Sequence, residues 1–260
     1  MPQILVLTPT LGNRATIART ISSVERYGGD NVRHVLIAPQ NVIDSLSSIY
    51  PKTECIAEPI GNHGIYGALN YGFHQLIAQH PFITFINDDD EWLPGMQKLI
   101  SAILTNQYDI VYGKTNYVDN TGRFISEQTC SSQFNSFVPL LKKGIVIFTQ
   151  QATVIKSKWF DKLGGFDTNY KLVADTKFWC RLSLANPIYK YFNVSCANYM
   201  VQEGQLSSNK DLQFTETIKL LSEFPNIKKA SFITVLWFRL QNIHVYASRF
   251  LHHRSFHNPM

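Results

Sequence analysis

The sequence predicts an α/β fold, a mainly parallel sheet with helices on both faces, extended by a helical C-terminal segment. Three observations predict it. Over residues 1–107, short apolar runs alternate strictly with stretches whose apolar positions recur at helical spacing. Most of these runs stop at Pro, Gly or a polar turn. The 260-residue chain is 45% hydrophobic and 17% charged, an ordinary globular composition long enough to bury a sizeable core.

QILVLT, residues 3–8, reads as a buried first strand closed by Pro9 and Gly12. Residues 13–27 follow as a helix, with Ile17, Ile21 and Val24 on one face and Gly28–Gly29 as its stop. VRHVLIAP, 32–39, is the second strand, and 41–50 a short helix. TECIAEP, 53–59, is the third strand and runs into a Gly-rich turn; residues 64–79 are helical despite their glycines. PFITFIN, 81–87, is the fourth strand, and Pro94 takes the favoured first turn of a helix over 94–106.

After residue 108 the alternation changes. Residues 109–127 suggest two strands around an Asn-Thr-Gly turn, and 136–144 a short helix. Residues 153–167 read as a strand, a short helix and a glycine turn, and 172–185 as an amphipathic helix. A late strand over 188–193 precedes a polar loop over 201–213. From about Pro225 the chain is helical, with a stripe of Phe232, Val235/Leu236, Leu240, Ile243, Ala247 and Phe250.

The net charge of +5 lies entirely in this last segment. Beyond Glu223 there are no acids but five bases, Lys228, Lys229, Arg239, Arg249 and Arg254, leaving 19 bases against 19 acids before it. The body therefore has no broad basic face for nucleic acid, whereas the tail has reason to approach something negative. Cys55, Cys130, Cys180 and Cys196 form no CxxC pair, which points to free thiols in a reducing compartment and against a structural zinc site. The start lacks a basic leader and no stretch is clean enough to span a bilayer, so a cytoplasmic location is expected.

The chemistry concentrates at FITFINDDDEW, 82–92, where a buried strand ends in Asp88, Asp89, Asp90 and Glu91. Two carboxylates about 4 Å apart repel by about 4 kcal/mol at an effective dielectric near 20. They must be splayed into water, partly protonated or neutralised by a cation. The plainer alternative is a solvated turn that caps the next helix. Ligands of such sheets collect at the strands' carboxyl ends, where Thr8, Ala38, Glu58 and Asp88–Asp90 all fall, and this position favours a cation. Asp175 is the second feature. It stands near the start of a helix behind the Gly164–Gly165 turn and Phe166, although a carboxylate there is common for structural reasons alone.

Five segments in register then resemble bacterial family 2 glycosyltransferases of the GT-A fold, of the type that builds surface polysaccharides. They are TPTLGNRATIARTISSV, EPIGNHGIYGALNYGF, FINDDDEWLPG, TQQATVIKSKWFDKLGGFDTNYKLVADTKFWCRL and EGQLSSN, spread over roughly residues 3–215. The resemblance implies a GT-A-like catalytic domain over 1–223, with a nucleotide-binding half (1–107) and an acceptor-binding half (108–223). Residues 224–260 would form a basic amphipathic helical extension.

By the same resemblance, a nucleotide-sugar donor, with uridine as its base, would lie against Thr8, Pro9, Thr10, Arg14, Ala38, Gly64, Asn70, Asp88 and Asp89. Asp90 would coordinate a divalent cation, Mn²⁺ or Mg²⁺. Asp175 would be the base that deprotonates the acceptor hydroxyl, with inversion at the sugar. Gln151, Trp179, Gly204 and Ser207 would border the acceptor. The acceptor would be a glycan or lipid-linked oligosaccharide of lipopolysaccharide, capsule or exopolysaccharide synthesis.

The sequence departs from the family pattern at Ala38, where an Asp usually recognises the base, and at Gly67, Asn87, Gln150 and Gln205. Those losses motivate an alternative, a non-catalytic nucleotide-sugar-binding or scaffold protein. A nucleotidyltransferase would need a Gly-rich basic loop that LTPTLGNRAT does not provide, and a glycosidase fits this edge badly. His63 could touch donor phosphate, and Trp92 and Trp159 are more readily packing residues than sugar platforms. The basic tail could close over the domain or lie on an anionic membrane on the cytoplasmic side.

Overall fold

The computed structural model describes residues 3–61, 64–202, 205 and 209–253. The first half alternates as the sequence predicts: β1 (Ile4–Pro9), α1 (Ile17–Gly28), β2 (Val32–Ala38), α2 (Gln40–Ile49), β3 (Glu54–Ala57), α3 (Ile65–Leu76) and β4 (Phe82–Phe85). These four strands run parallel in the order β3-β2-β1-β4. All six residues of β1 are buried, because helices cover both faces of a parallel sheet. Leu5 and Leu7 point into one core and Ile4 and Val6 into the other. Gly72 allows α3 to sit on this sheet: a Cβ there would come within 2.8 Å of Leu7.

The second half contains β5 (Glu91–Trp92), α4 (Met96–Leu104), β6 (Ile110–Val118), β7 (Phe124–Glu127), α5 (Phe137–Leu141), β8 (Thr153–Lys156), α6 (Ser157–Leu163), α7 (Ala174–Leu184) and β9 (Tyr189–Met200). The sheet continues β4-β8-β6-β9-β5, with β7 paired to β6. The expectation of parallel pairing holds in the first half and gives way to mixed pairing here. β8 runs antiparallel to both β4 and β6, β5 is antiparallel to β9, and only β6–β9 is parallel. The β6–β7 hairpin turns at Asp119, whose carboxylate accepts the backbone N–H groups of Thr121 and Arg123.

Three elements differ from the sequence expectation. β9 runs to Met200 rather than stopping near 193, since its outer residues are half-buried and show no continuous apolar run. The expected polar loop over 201–213 gives way at Lys210 to a helix, α8 (Lys210–Ser222), capped by the Asn209 side chain on Leu212 N–H. Its apolar Phe214 and Ile218 are exposed, so helical spacing gives no buried stripe to read.

The tail folds as two helices, α9 (Phe232–Gln241) and α10 (Ile243–His253). Of the expected stripe only Val235 packs, half-buried, on the main core: Phe232, Leu236, Leu240, Ile243, Ala247 and Phe250 are exposed, and Phe238 and Val245 are buried instead. The break at Asn242 explains this. Its side-chain carbonyl accepts Cys130 N–H (2.9 Å), and its amide donates to Cys130 C=O and Phe238 C=O (both 2.8 Å). Arg249 donates to Glu127 C=O, and Ala230 N–H to Pro139 C=O. The tail is thus part of the packed body, with Phe238 in its main core. No described helix is long and apolar enough to cross a membrane.

The side chain of Asn242 satisfies two buried backbone groups of Cys130, and each would be left unpaired by truncation, at roughly 1–3 kcal/mol apiece. Asn242→Ala should therefore lower unfolding stability by about 2–6 kcal/mol, read from the denaturant midpoint. A detachable tail would leave that midpoint unchanged.

Candidate functional site

The carboxyl ends of β1 and β4 build the acidic edge. Thr16 and Thr20, at the start of α1, donate to the backbone carbonyls of Asp88 (2.9 Å) and Asp90 (2.7 Å), pinning the turn that carries the three acids. Each acid then has a different environment. Asp88 accepts from the Thr10 hydroxyl at 2.7 Å and lies 3.5 Å from Arg14 Nε. Burial raises its pKa, against the pull of Thr10 and Arg14. Asp89 Oδ2 accepts from Arg14 Nη1, from Gln205 Nε2 at 2.9 Å and from Gln202 Nε2 at 3.2 Å.

Asp90 is fully buried, and both of its oxygens are taken by the protein. Oδ2 accepts from Gln151 (2.6 Å) and Asn87 (3.3 Å), and Oδ1 from Met200 N–H (3.0 Å). Burial, reinforced by the charge of Asp89, pushes its carboxyl well above the usual range. Asp90, expected as the metal ligand, thus has both oxygens engaged by protein donors. Asp88 and Asp89 are buried too, but their carboxylates lie against Arg14 and are hard oxygen donors of the kind Mg²⁺ or Mn²⁺ takes.

Several expected donor residues also lie inside. Thr8 is buried with its hydroxyl 2.9 Å from His34 Nε2, and burial lowers that histidine to about 4, so it is neutral. Pro9 and Ala38 are buried at their strand ends. Asn70 commits both amide atoms to Phe166, accepting its N–H (2.8 Å) and donating to its C=O (2.7 Å). Gln151 is consumed by Asp90, and Trp179 packs against Phe148 and Phe178. Thr10, Arg14 and Gly64 do reach this edge: Thr10 and Arg14 on the acids, Gly64 as the exposed residue that begins α3. Gly204, Ser207 and His63 lie outside the described residues. Trp92 and Trp159 are core residues.

Asp175 sits half-buried in the first turn of α7. Its Oδ1 accepts from Thr176 N–H (2.6 Å) and the Tyr66 hydroxyl (3.0 Å), and Tyr66 also lies 3.1 Å from Leu172 C=O. Among the described residues every hydrogen bond to this carboxylate falls on Oδ1, which leaves Oδ2 for a proton. Burial raises the Asp175 pKa, opposed by Thr176 and Tyr66. Tyr66 is in the first turn of α3, which leaves the carboxyl end of β3, so Asp175 belongs to the same sheet edge as the acids.

The approach to Asp175 is held from two sides. Gly165 (φ +69°) keeps the turn clear of Asn70, whose Oδ1 would be 2.7 Å from a Cβ. Glu216 of α8 accepts the N–H groups of Lys171 (2.7 Å), Leu172 (2.8 Å) and Val173 (3.3 Å). Sequence reasoning missed Tyr66, Glu216, Gln202 and Gln205. Tyr66 and Gln205 stood inside recognised motifs, but nothing in the linear order paired them with Asp175 or Asp89. A separate surface cleft of about 540 Å³, bordered by Asp167, Lys177, Arg181 and Glu223, contains none of the expected site residues.

Structural comparison agrees with this architecture. TarS 1–349 of S. aureus, in complex with UDP-GlcNAc, superposes with a TM-score of 0.65 over 98% of this chain and 74% of its own, at 14% identity. The mannosyltransferase PcManGT of Pyrobaculum calidifontis, in complex with GDP-Man and Mn²⁺, gives a TM-score of 0.59 over 96% and 76%, at 13% identity. GalNAc-T7 with UDP, GalNAc and Mn²⁺ gives 0.61 over 97% and 58%, at 11% identity. At such identities the likeness is one of fold. No curated protein matches the sequence significantly. The profile of the family described as Glycosyl transferase family 2 matches residues 5–164, more than half the chain. The protein is a member of glycosyl transferase family 2.

Proposed function

We propose that the protein is an inverting, metal-dependent glycosyltransferase that moves a sugar from a uridine-diphosphate donor to a hydroxyl of a lipid-linked glycan in surface polysaccharide synthesis. One observation carries the reading: Asp175 has one oxygen held by Tyr66 and Thr176 N–H and the other unengaged by described residues, at the edge that bears Asp88 and Asp89.

In this mechanism the donor diphosphate lies at the acidic edge, beside Arg14. Asp89, with Asp88 beside it, would hold a divalent cation, which would supply charge neutralisation for the departing diphosphate. Asp175 Oδ2 accepts the proton of the acceptor hydroxyl as that oxygen attacks the anomeric carbon from the face opposite the nucleotide, which inverts its configuration. Tyr66 donates to Oδ1 and so stabilises the charged, proton-accepting form. Burial works in the opposite direction, so the base becomes competent only above the usual carboxylate range.

Asp175→Asn should lower transfer by about 10²–10⁴-fold with donor affinity by calorimetry unchanged. Full activity in that variant would remove Asp175 as the base. Tyr66→Phe deletes a hydrogen bond that lowers the Asp175 pKa, so the acid limb of the pH–rate profile should move to higher pH. A profile that fell in height without moving would deny Tyr66 this role.

Metal use separates the acids. Mn²⁺ should raise the melting temperature of the donor-bound protein, EDTA should reverse it, and Asp89→Asn should abolish the response. Asp90→Asn should keep it, because Asp90 serves the fold. The opposite pattern would return the metal to Asp90.

A further inference from the structure

The tail presents outward the residues that a globular protein ordinarily buries. On α9, Phe232 is 80% exposed and Trp237 54%, with Ile233, Leu236 and Leu240 exposed beside them. At 100° per residue these five occupy one contiguous arc of about 140° on the helix surface. The opposite side of α9 carries Phe238, which is buried in the main core. After the Asn242 break the pattern recurs on α10, where Ile243, Phe250 and Leu251 are exposed and Val245 is buried. Each helix is therefore two-faced: one side is bolted to the body through Asn242 and Arg249, and the other is apolar and open.

The charge around this face identifies its occupant. No acid follows Glu223, and Lys228, Lys229 and Arg239 are exposed just before and along α9. An apolar arc with an aromatic ring and basic residues, whose neighbouring acid beside α10, Glu127 at His244, is paired with Lys114, complements the anionic headgroup region of a bilayer. Neither helix is long enough to span it. A second copy of this chain would bring the same bases against each other across a shared interface, which disfavours that occupant.

We propose that α9 and α10 form a face that lies in the interface of an anionic bilayer, inserting Phe232, Trp237 and Leu251 among the headgroups while the other sides of the helices remain docked on the body. The proposal rests on the reading of a lipid-linked acceptor for its purpose, but not for its physics. The protein would rest on the membrane that holds its acceptor, without crossing it.

Trp92, Trp159 and Trp179 are buried, which leaves Trp237 as the one exposed tryptophan and makes its fluorescence a built-in reporter. The full chain should float with vesicles of phosphatidylglycerol and phosphatidylcholine, with a blue shift, and stay in the aqueous fraction with pure phosphatidylcholine. Neutralising Lys228, Lys229 and Arg239 together should weaken partition by about a hundredfold, at about fivefold per base near the surface. Phe232→Ser with Trp237→Ser should abolish flotation. Both residues are exposed, so the circular dichroism melt of this variant should match the parent.

Flotation that survives the double substitution, or that is equal on neutral vesicles, overturns the proposal. So does an absence of flotation combined with a concentration-dependent dimer that the same substitutions dissolve, which would make a second copy the occupant. Because the readout is partition, an inactive protein that still floats would overturn only the catalytic reading. An active one that stays in water would overturn only this proposal.

Discussion

The buried carboxylate of Asp90 is the interaction on which the site depends. Its two oxygens join Asn87 in the turn after β4, Gln151 just before β8, and Met200 at the end of β9, while Thr20 of α1 holds its carbonyl. Hydrogen bonds to charged groups contribute roughly 1.5–3 kcal/mol each, against a desolvation penalty of several kcal/mol for the ion. Those terms nearly cancel, so the group is weak as a source of stability. Its carboxyl is pushed well above the usual range because burial and the charge of Asp89 outweigh those hydrogen bonds. What it supplies is placement: four segments far apart in sequence meet at one point, next to Asp88 and Asp89. Asp88 and Asp89 are buried as well, but their carboxylates lie against Arg14 rather than against backbone and amide donors alone.

That division has an electrostatic consequence. Three adjacent carboxylates could not all remain charged and unpaired at such short separations. Arg14 lies against two of them, and the third is drawn toward its neutral form by burial. Gln202 and Gln205 add neutral donors to Asp89. The cluster is thereby held together without the whole of its repulsion.

Much of the fold could be read from the sequence because the first half obeys simple rules. Buried parallel strands are continuous apolar runs, and amphipathic helices show their spacing, so β1 to β4 and α1 to α4 were legible. Mixed pairing in the second half was not, since strand direction depends on which edge a returning segment meets. α8 was invisible because its two buried residues, Glu216 and Leu220, leave no apolar stripe. In the site, residue type was legible and orientation was not. Asp90, Asn70 and Gln151 all have chemistry suited to a ligand, yet each spends it on a buried partner many positions away. Nothing in composition or spacing distinguishes an amide that faces a cleft from one that pins a turn. The tail shows the same limit, for a stripe at helical spacing reveals that a helix has an apolar face but not whether the body or something else covers it.

The segment from Met200 to Glu223 ties these parts together. It begins at Asp90 through Met200 N–H, passes Asp89 through Gln202 and Gln205, and enters α8, where Glu216 caps the three N–H groups before the helix that carries Asp175. A carboxylate at a helix N-terminus, receiving three backbone donors, is a strong anchor. The acidic edge after β4 and the approach to the carboxylate of α7 are therefore tied by one stretch of chain of about two dozen residues. A displacement of Gln205 from Asp89 and a displacement of Glu216 from the approach to Asp175 share that short path. The two carboxylate sites, separate in their chemistry, are thus joined through a single covalent strap with an anchor at each end.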